Sequence, residues 1–500
     1  MKKVVIIGAG IAGLTCGIYA RLNGFDTAIY EMHVLPGGEC TGWDRSGYHF
    51  DGCLHWLVGS KNGTDLNKVW KETGALSDSV RIIDYDVFSR YEEEGGAVNL
   101  YTDADKLENH LLGIAPEDRA EIKKLCGAVR KMGNFGMPLD KPMDMMTGRD
   151  GLKFMAKNIG NMGKMARYGK MSMTVLAGLF KNPLLKKALL TSMPGDYTSL
   201  ALITTLAGMN AGDCGFPEGG SRALAKRMEK RYLELGGKIY YKSKVDKILV
   251  EDGSAVGVRL ADGEEARADH IVSCADGYAT LYGMLEDKYT PALYRDLFGH
   301  PESYFTVTSA LVFLGIDAEL PSDYRAVQIK REKPLGMDGV CSSDHMILNY
   351  SFDPSMAPKG KTVMSCYYTA DYDYWKELSS DRERYNAQKK KLEEDAIAAV
   401  IRRFPGAEGK IEATDVVTPV TYEKYCNAWR GSWMTWVKNE KGVPRYFPGV
   451  LPGLNHFIMA GMWTMPPGGL PGAGAAGRFA AQRLCIQNGV DFKTGSGINE

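Results

Sequence analysis

The stretch Val4–Leu14, VVIIGAGIAGL, decides how this chain folds. Val4 to Ile7 is a continuous apolar run of the buried-strand kind. Gly8, Gly10 and Gly13 follow in G-x-G-x-x-G spacing. A helical pattern runs on to about Asn23, and Gly24 closes it. A second strand, Thr27 to Tyr30, ends on Glu31. That acid falls about 20 residues beyond the glycines, where a dinucleotide fold sets a carboxylate on the ribose hydroxyls. One glycine makes the tight turn, one lets backbone approach a pyrophosphate, and one lets helix pack on strand. Ile11 and Ala12 open the helix, whose unpaired N–H groups and positive end face the phosphates. A signal peptide behind Lys2 and Lys3 is the competing reading. Glycines break its apolar run, and no small-residue cleavage site follows. The expected class is α/β, with a Rossmann-type dinucleotide domain.

Composition bounds the rest. Five hundred residues, 44% of them hydrophobic, imply two or three domains, or a nucleotide domain with a large insert. A formal net charge of zero gives no pull toward nucleic acid. The ten cysteines form no C-x-x-C pair, so neither a structural metal nor a disulfide framework is expected, and a reducing cytoplasm suits them. No run of 18 apolar residues predicts a spanning helix.

Leu107–Leu112 and Ile122–Val129 read as amphipathic helices. Residues 130–195 form a methionine-rich, basic helical insert, with Met132, Met137, Met143, Met155, Met162 and Met173 among its methionines. Unbranched thioethers suit either a pocket for a flexible lipid or a plain helical core. From Gly151 to Gly195 there are eight bases and no acid. Such a segment, 151–190 above all, can lie on an anionic membrane or be a solvated helix. A helix opened by Gly219-Gly220-Ser221 is expected to stop at Gly236-Gly237. Strands follow at Lys238–Tyr241, Val245–Val250, Ala255–Leu260 and His270–Cys274. Ser309–Gly315 and Thr362–Tyr368 read as strands, and Asp381–Phe404 as a long helix with Leu392, Ala396, Ala399 and Val400 inside. Trp429, Trp433 and Trp436 share a face if helical, walling a channel or forming core. Phe457–Ala460 is a strand, and Gly472-Ala473-Gly474 opens the last helix after a loop of glycine and proline.

Three segments resemble one family. Leu35-Pro36-Gly37-Gly38 right after the ribose acid, then Phe50-Asp51-Gly52-Cys53-Leu54-His55-Trp56, are similar to the flavin segment of the phytoene desaturase family, its retinol saturase branch above all. The run from Gly215 to Asp276 resembles that family almost continuously, and so does the C-terminal strand, loop and small-residue helix. The chain departs at Glu39, where the family usually has arginine. The resemblance implies a glutathione-reductase-like FAD domain, made of 1–75, 212–285 and 440–490, interleaved with an α+β substrate domain of 76–211 and 286–439. Residues 491–500 form a tail. By that resemblance FAD meets Gly8, Gly10, Ile11, Ala12, Gly13, Glu31, Gly37, Gly38, Glu39, Asp51, Val245 and Ala275. Near the C-terminus it meets Gly461, Gly469, Pro471, Gly472 and Ala473. The helix opened there would bring its positive end to the flavin, where reduction adds negative charge. Trp56 and Trp463, with Trp429 and Trp433, are candidate walls of a substrate pocket. His55 is the candidate acid, because an imidazole titrates near working pH. Asp51 either touches cofactor or orders its turn.

The implied activity is that of an FAD-dependent oxidoreductase. It would act on C=C bonds of a long apolar isoprenoid by hydride exchange with the flavin, as saturase, desaturase or isomerase. There is a single G-x-G-x-x-G, so no second nucleotide site is expected and the electron partner stays open. A flavin amine oxidase shares the fold and is the alternative. A GDP-dissociation-inhibitor-like escort of prenylated proteins is the non-enzyme reading, which the intact glycines and Glu31 disfavour.

Overall fold

The computed structural model describes residues 1–500 apart from 134–135, 194–196, 305, 334–335, 337, 438–443, 445 and 496–500. The expected edges at 195, 439 and 440 and the last residues of the tail lie outside the described residues.

A five-stranded parallel sheet sits under the glycine turns. Its order is Phe457–Met459, His270–Ser273, Lys3–Ile7, Asp26–Tyr30, Lys238–Tyr240. Lys3–Ile7 is central, with Val5 opposite both Ile271 and Ala28. Parallel strands need crossovers, which cover both faces, so central strands read as unbroken apolar runs. Val4 and Ile6 are buried, each contributing about 1.5–3 kcal/mol. The first crossover helix, Ile11–Leu22, ends where the Asn23 side chain donates to the Tyr19 carbonyl at 2.8 Å and Gly24 takes φ +82°. The C-terminal helix Gly469–Gln487 crosses it in close contact: a Cβ on Gly477 would lie 2.3 Å from the Ala12 carbonyl. This helix begins three residues before the expected start at Gly472, with Leu470 and Pro471 already in its first turn.

Helix Gly220–Glu234 leads to Lys238–Tyr240 and a three-stranded meander, Val245–Glu251, Ser254–Leu260 and Glu265–Arg267. A second, seven-stranded sheet has the order Ile411–Val417, Ser309–Ile316, Thr362–Thr369, Asp344–Asn349, Ala326–Lys330, Val87–Glu93, Gly96–Tyr101. Only Ala326–Lys330 beside Val87–Glu93 is parallel. One face carries Val312, Leu314, Met364 and Cys366 against the long helix Arg382–Arg403, which buries Leu392, Ala396, Ala399 and Val400 as expected. The other face carries Ser309, Leu311, Gln328, Met346 and Tyr367 and looks into the molecule's large cavity. The hairpin Val87–Tyr101 belongs to this sheet, where the sequence reads as irregular.

Helices Gly148–Gly169, Met173–Gly178, Pro183–Ser192 and Ser199–Asn210 close one side. Thr147 and Asp150 start the first with a capping box. The methionines named from this insert do not line the cavity: Met132 and Met173 are buried in the helical layer, and Met155 and Met162 face outward. The buried thioethers pack between helices, while Met193, near the end of the same stretch, does reach the cavity wall.

Candidate active site

The strand Lys3–Ile7 delivers the chain to a turn at Gly8, which has φ +94° and whose N–H donates to the Tyr30 carbonyl at 2.8 Å. The Gly37 N–H donates to the Ala9 carbonyl at 2.8 Å, locking the second glycine turn against the first. Glu31 ends the second strand with its carboxylate buried there. It accepts from the Ala9 N–H at 2.6 Å and the His33 N–H at 2.7 Å. Gly8, Gly10, Ile11, Ala12, Glu31, Gly37, Gly38 and Glu39 share one cavity wall. Val245, Ala275, Gly461, Gly469, Pro471 and Ala473 join it from elements hundreds of residues away.

Two expected members stand outside the wall. Gly13 lies beneath it, because a Cβ there would be 2.0 Å from the Gly8 carbonyl oxygen: its absence of side chain serves helix–strand packing. Gly472 turns toward Met465, whose carbonyl oxygen would be 3.3 Å from an added Cβ.

The cavity encloses about 1520 Å³ and runs from these turns to the second sheet. His55, Trp56, Trp433 and Trp463 line it. Trp429 does not. It is half-buried against the core, stacking on the exposed ring of Tyr278 at 5.6 Å and meeting Trp463 at 5.9 Å. The helical face expected for Trp429, Trp433 and Trp436 does not form either. After the short turn Trp429–Gly431 the chain is irregular, with positive φ at Arg430 and Trp436, so spacing alone does not align the rings. Tyr197, Leu311, Gln328, Met346, Leu348 and Tyr367 complete the wall and were not singled out from the sequence.

Asp51 reaches the cavity, but both carboxylate oxygens are engaged. They accept from the N–H groups of Cys53, Leu54 and Ser221 and from the Ser221 hydroxyl, at 2.6–3.0 Å. Of the two roles open to it, ordering the turn is the one these bonds perform.

His55 departs from its expected role. Burial and the Arg325 guanidinium push its imidazole down to about 3. Arg325 is itself buried against the rings of Trp56 and Tyr85, at 5.8 and 5.6 Å. The ring is therefore neutral at working pH and is no standing acid. The unfolded chain takes up a proton near pH 6.5 that the folded chain refuses until about 3, so this group's stability contribution is full above 6.5 and is lost as pH falls below it. His55→Gln is expected to flatten the acid limb of a denaturation-midpoint-versus-pH curve. It is also expected to leave the shape of the pH–rate profile between 5 and 8 unchanged. A lost limb in that profile would restore the acid role.

The wall fits a dinucleotide. A Cβ on Gly10 would meet no protein atom closer than the Gly37 carbonyl oxygen at 3.9 Å. Folding does not require a glycine there, and the space belongs to whatever fills the cleft. The start of helix Ile11–Leu22 opens onto that space.

Comparison with known proteins agrees. The family described as flavin containing amine oxidoreductase matches residues 11–485. The chain is 24% identical to prolycopene isomerase of Daucus carota over 98% of its own length and 81% of the relative's. It is 25% identical to the lycopene-forming phytoene desaturase of a Paracoccus species, over 96% and 97%. In fold it is similar to an oxidoreductase from Methanosarcina mazei (TM-score 0.58, 19% identity, 96% of this chain and all of that one). It is also similar to cyclohexylamine oxidase from Brevibacterium oxydans (TM-score 0.58, 14% identity, 98% and 99%). With the match running from the start of the first helix through the second glycine turn into the C-terminal helix, the chain belongs to the flavin containing amine oxidoreductase family and is an FAD-dependent oxidoreductase.

Proposed function

We propose that this oxidoreductase acts on a carbon–carbon double bond of a long apolar isoprenoid, of the carotenoid or retinoid kind. The observation that carries the reading is the continuity of the cavity. One space of about 1520 Å³ joins the glycine turns to a wall of Leu311, Met346, Leu348, Tyr367 and Trp433. Ordinary small-molecule sites hold about 300–1,000 Å³, so cofactor and a long substrate fit together. The relatives named prolycopene isomerase and phytoene desaturase, aligned over nearly the whole chain, support the same substrate class.

The two glycine turns, Glu31, Val245 and the start of the C-terminal helix hold the cofactor in this reading. FAD, when bound, supplies the hydride chemistry. The chain's own work is to exclude water and to orient the polyene between aromatic faces, among them Trp56, Trp433 and Trp463 on the cavity wall. The saturase-like segment Phe50–Trp56 favours reduction or isomerisation over desaturation. Likeness to amine oxidases is a likeness of fold and carries no substrate.

The protein is read as cytoplasmic and in contact with membrane, the place where such a substrate dissolves. Helix Gly148–Gly169 exposes Leu152 (68%), Met155, Ile159 (74%) and Met162, spaced i, i+3, i+7 and i+10 along one stripe. Lys153 and Arg167 are exposed beside it. An apolar stripe flanked by bases suits an anionic bilayer surface. Among the described residues no helix is long and apolar enough to cross a membrane.

The test is anaerobic. Carotenoids, retinoids and unsaturated lipids are offered to the reduced flavin in anionic or neutral vesicles, and alkyl amines are offered to the oxidised flavin. Reoxidation by a polyene, or isomerisation of the polyene with the flavin left reduced, is expected, faster from anionic vesicles. Turnover of an amine by the oxidised flavin, with every polyene inert, would replace this reading by that of an amine oxidase. Equal rates from both vesicle types would remove the membrane contact.

A further inference from the structure

The glycine turn that braces the first helix ends on an acid. A Cβ on Gly38 would lie 3.4 Å from the Gly10 Cα, so Glu39 is one residue from the helix start that receives the cofactor's phosphates. The turn is fixed, with the Gly37 N–H on the Ala9 carbonyl and the Cys40 N–H on the Gly37 carbonyl at 3.1 Å. Glu39 lines the cavity. A carboxylate is the wrong charge for a diphosphate, unless it is not a carboxylate.

The groups around it keep it protonated. Burial pushes Glu39 up to about 8, and Asp276, also on the cavity wall, adds like charge. Asp276 accepts from the Ala279 N–H at 2.9 Å and the Trp429 N–H at 3.1 Å. Burial raises it only to about 6, so it is the ionised member of the two. Helix Pro419–Cys426 carries one cation on the cavity wall, Lys424, which is exposed with its ammonium over the Tyr425 ring at 4.9 Å. The loop after Tyr48–Asp51 brings Cys53, and helix Pro419–Cys426 brings Tyr422 and Cys426. All three are themselves held high, Cys53 by its Cys40 neighbour and burial, Tyr422 and Cys426 by burial first. Glu31 and Asp51 complete the acids on this wall. A bound dianion adds further negative charge and binds the Glu39 proton more tightly still.

We propose that Glu39 holds the FAD diphosphate as a neutral carboxylic acid, donating its proton in a hydrogen bond, so that loss of the proton releases the cofactor. The inference rests on FAD being the cofactor, and its test separates the two.

Purified holoprotein is diluted into buffers from pH 6.5 to 9.5 at constant ionic strength, and released FAD is read by its fluorescence. For the wild type, the dissociation constant is expected to be flat to about pH 8 and then to rise by up to about tenfold per unit. Glu39→Gln, a neutral donor at every pH, is expected to hold FAD within a few-fold of wild type at pH 6.5 and to show no rise. Equal rises in both proteins, a flat wild-type curve, or a loss beyond about tenfold in Glu39→Gln at pH 6.5 would each overturn the proposal. A protein that carries no FAD at any pH would overturn the cofactor instead.

Discussion

Gly10→Val is expected to give a folded protein without FAD. Gly10 has φ −67° and ψ 176°, an extended conformation open to any residue, and it caps the helix without a side-chain bond. An added Cβ has no protein neighbour within 3.9 Å, so the fold loses little. The whole side chain projects into the cleft, over the N–H groups at the start of helix Ile11–Leu22. Displacing a diphosphate from that helix end, and blocking the approach of backbone to it, is expected to weaken FAD by at least about 100-fold, some 3 kcal/mol. Gly13→Val is the contrast. Its Cβ would lie 2.0 Å from the Gly8 carbonyl oxygen, so strand and helix must separate, and loss of the fold is expected. Circular dichroism and the flavin absorption bands of the purified variants distinguish the two. Stoichiometric flavin in Gly10→Val would remove the phosphate site from this turn.

The contrast also shows why the nucleotide half could be read from sequence and the substrate half could not. Gly8, Gly10, Gly13 and Glu31 are bound by local geometry: a strand, a turn, a helix start and an acid at a fixed distance. That geometry leaves little freedom, and the strand order around Lys3–Ile7 follows from it. The second sheet offers no such local rule. Ser309–Ile316 is buried on both faces, by the long helix on one side and by the cavity wall on the other. Its apolar run therefore has no alternation to reveal that Leu311 faces the cavity while Val312 faces the helix. Tyr367 and Met346 meet through strand pairing between segments far apart in sequence. Trp429 misleads for a related reason. Its spacing to Trp433 is helical, but positive φ at Arg430 sends the chain elsewhere. His55 lines the cavity, but its protonation is set by surroundings that its place in the sequence does not show. Burial holds its imidazole down first, and the arginine that adds to this arrives from residue 325 through the fold.

Asp51→Ala is expected to cost about 4 kcal/mol of stability and to loosen the wall that holds His55 and Trp56. The carboxylate sits at the start of helix Gly220–Glu234, where a negative charge is favoured by the unpaired N–H groups and the helix dipole. It is buried, and it ties that helix to the loop after strand Tyr48–Asp51. The approach is so close that a Cβ on Gly220 would lie 2.1 Å from the Asp51 Oδ2, and Gly220 takes φ +62° to allow it. Truncation strands the N–H groups of Ser221 and Cys53. The Leu54 N–H keeps the Ser221 hydroxyl at 2.9 Å. With the Ser221 hydroxyl proton, three donors lose this acceptor, at about 1–3 kcal/mol each, which gives the magnitude. Asp51→Asn separates charge from shape. Its amide oxygen can keep Cys53 and Leu54, but its NH₂ must then face the Ser221 N–H, which now donates at 2.6 Å. A cost of about 2 kcal/mol is expected. Denaturant unfolding of the flavin-free proteins reads both values, and the polyene's dissociation constant in the loaded proteins reads the wall. If Asp51 touched the cofactor alone, the flavin-free variants would unfold with the wild type. If it anchors the loop, stability falls first and substrate affinity falls with it, because Trp56 is held only as firmly as the turn beneath it.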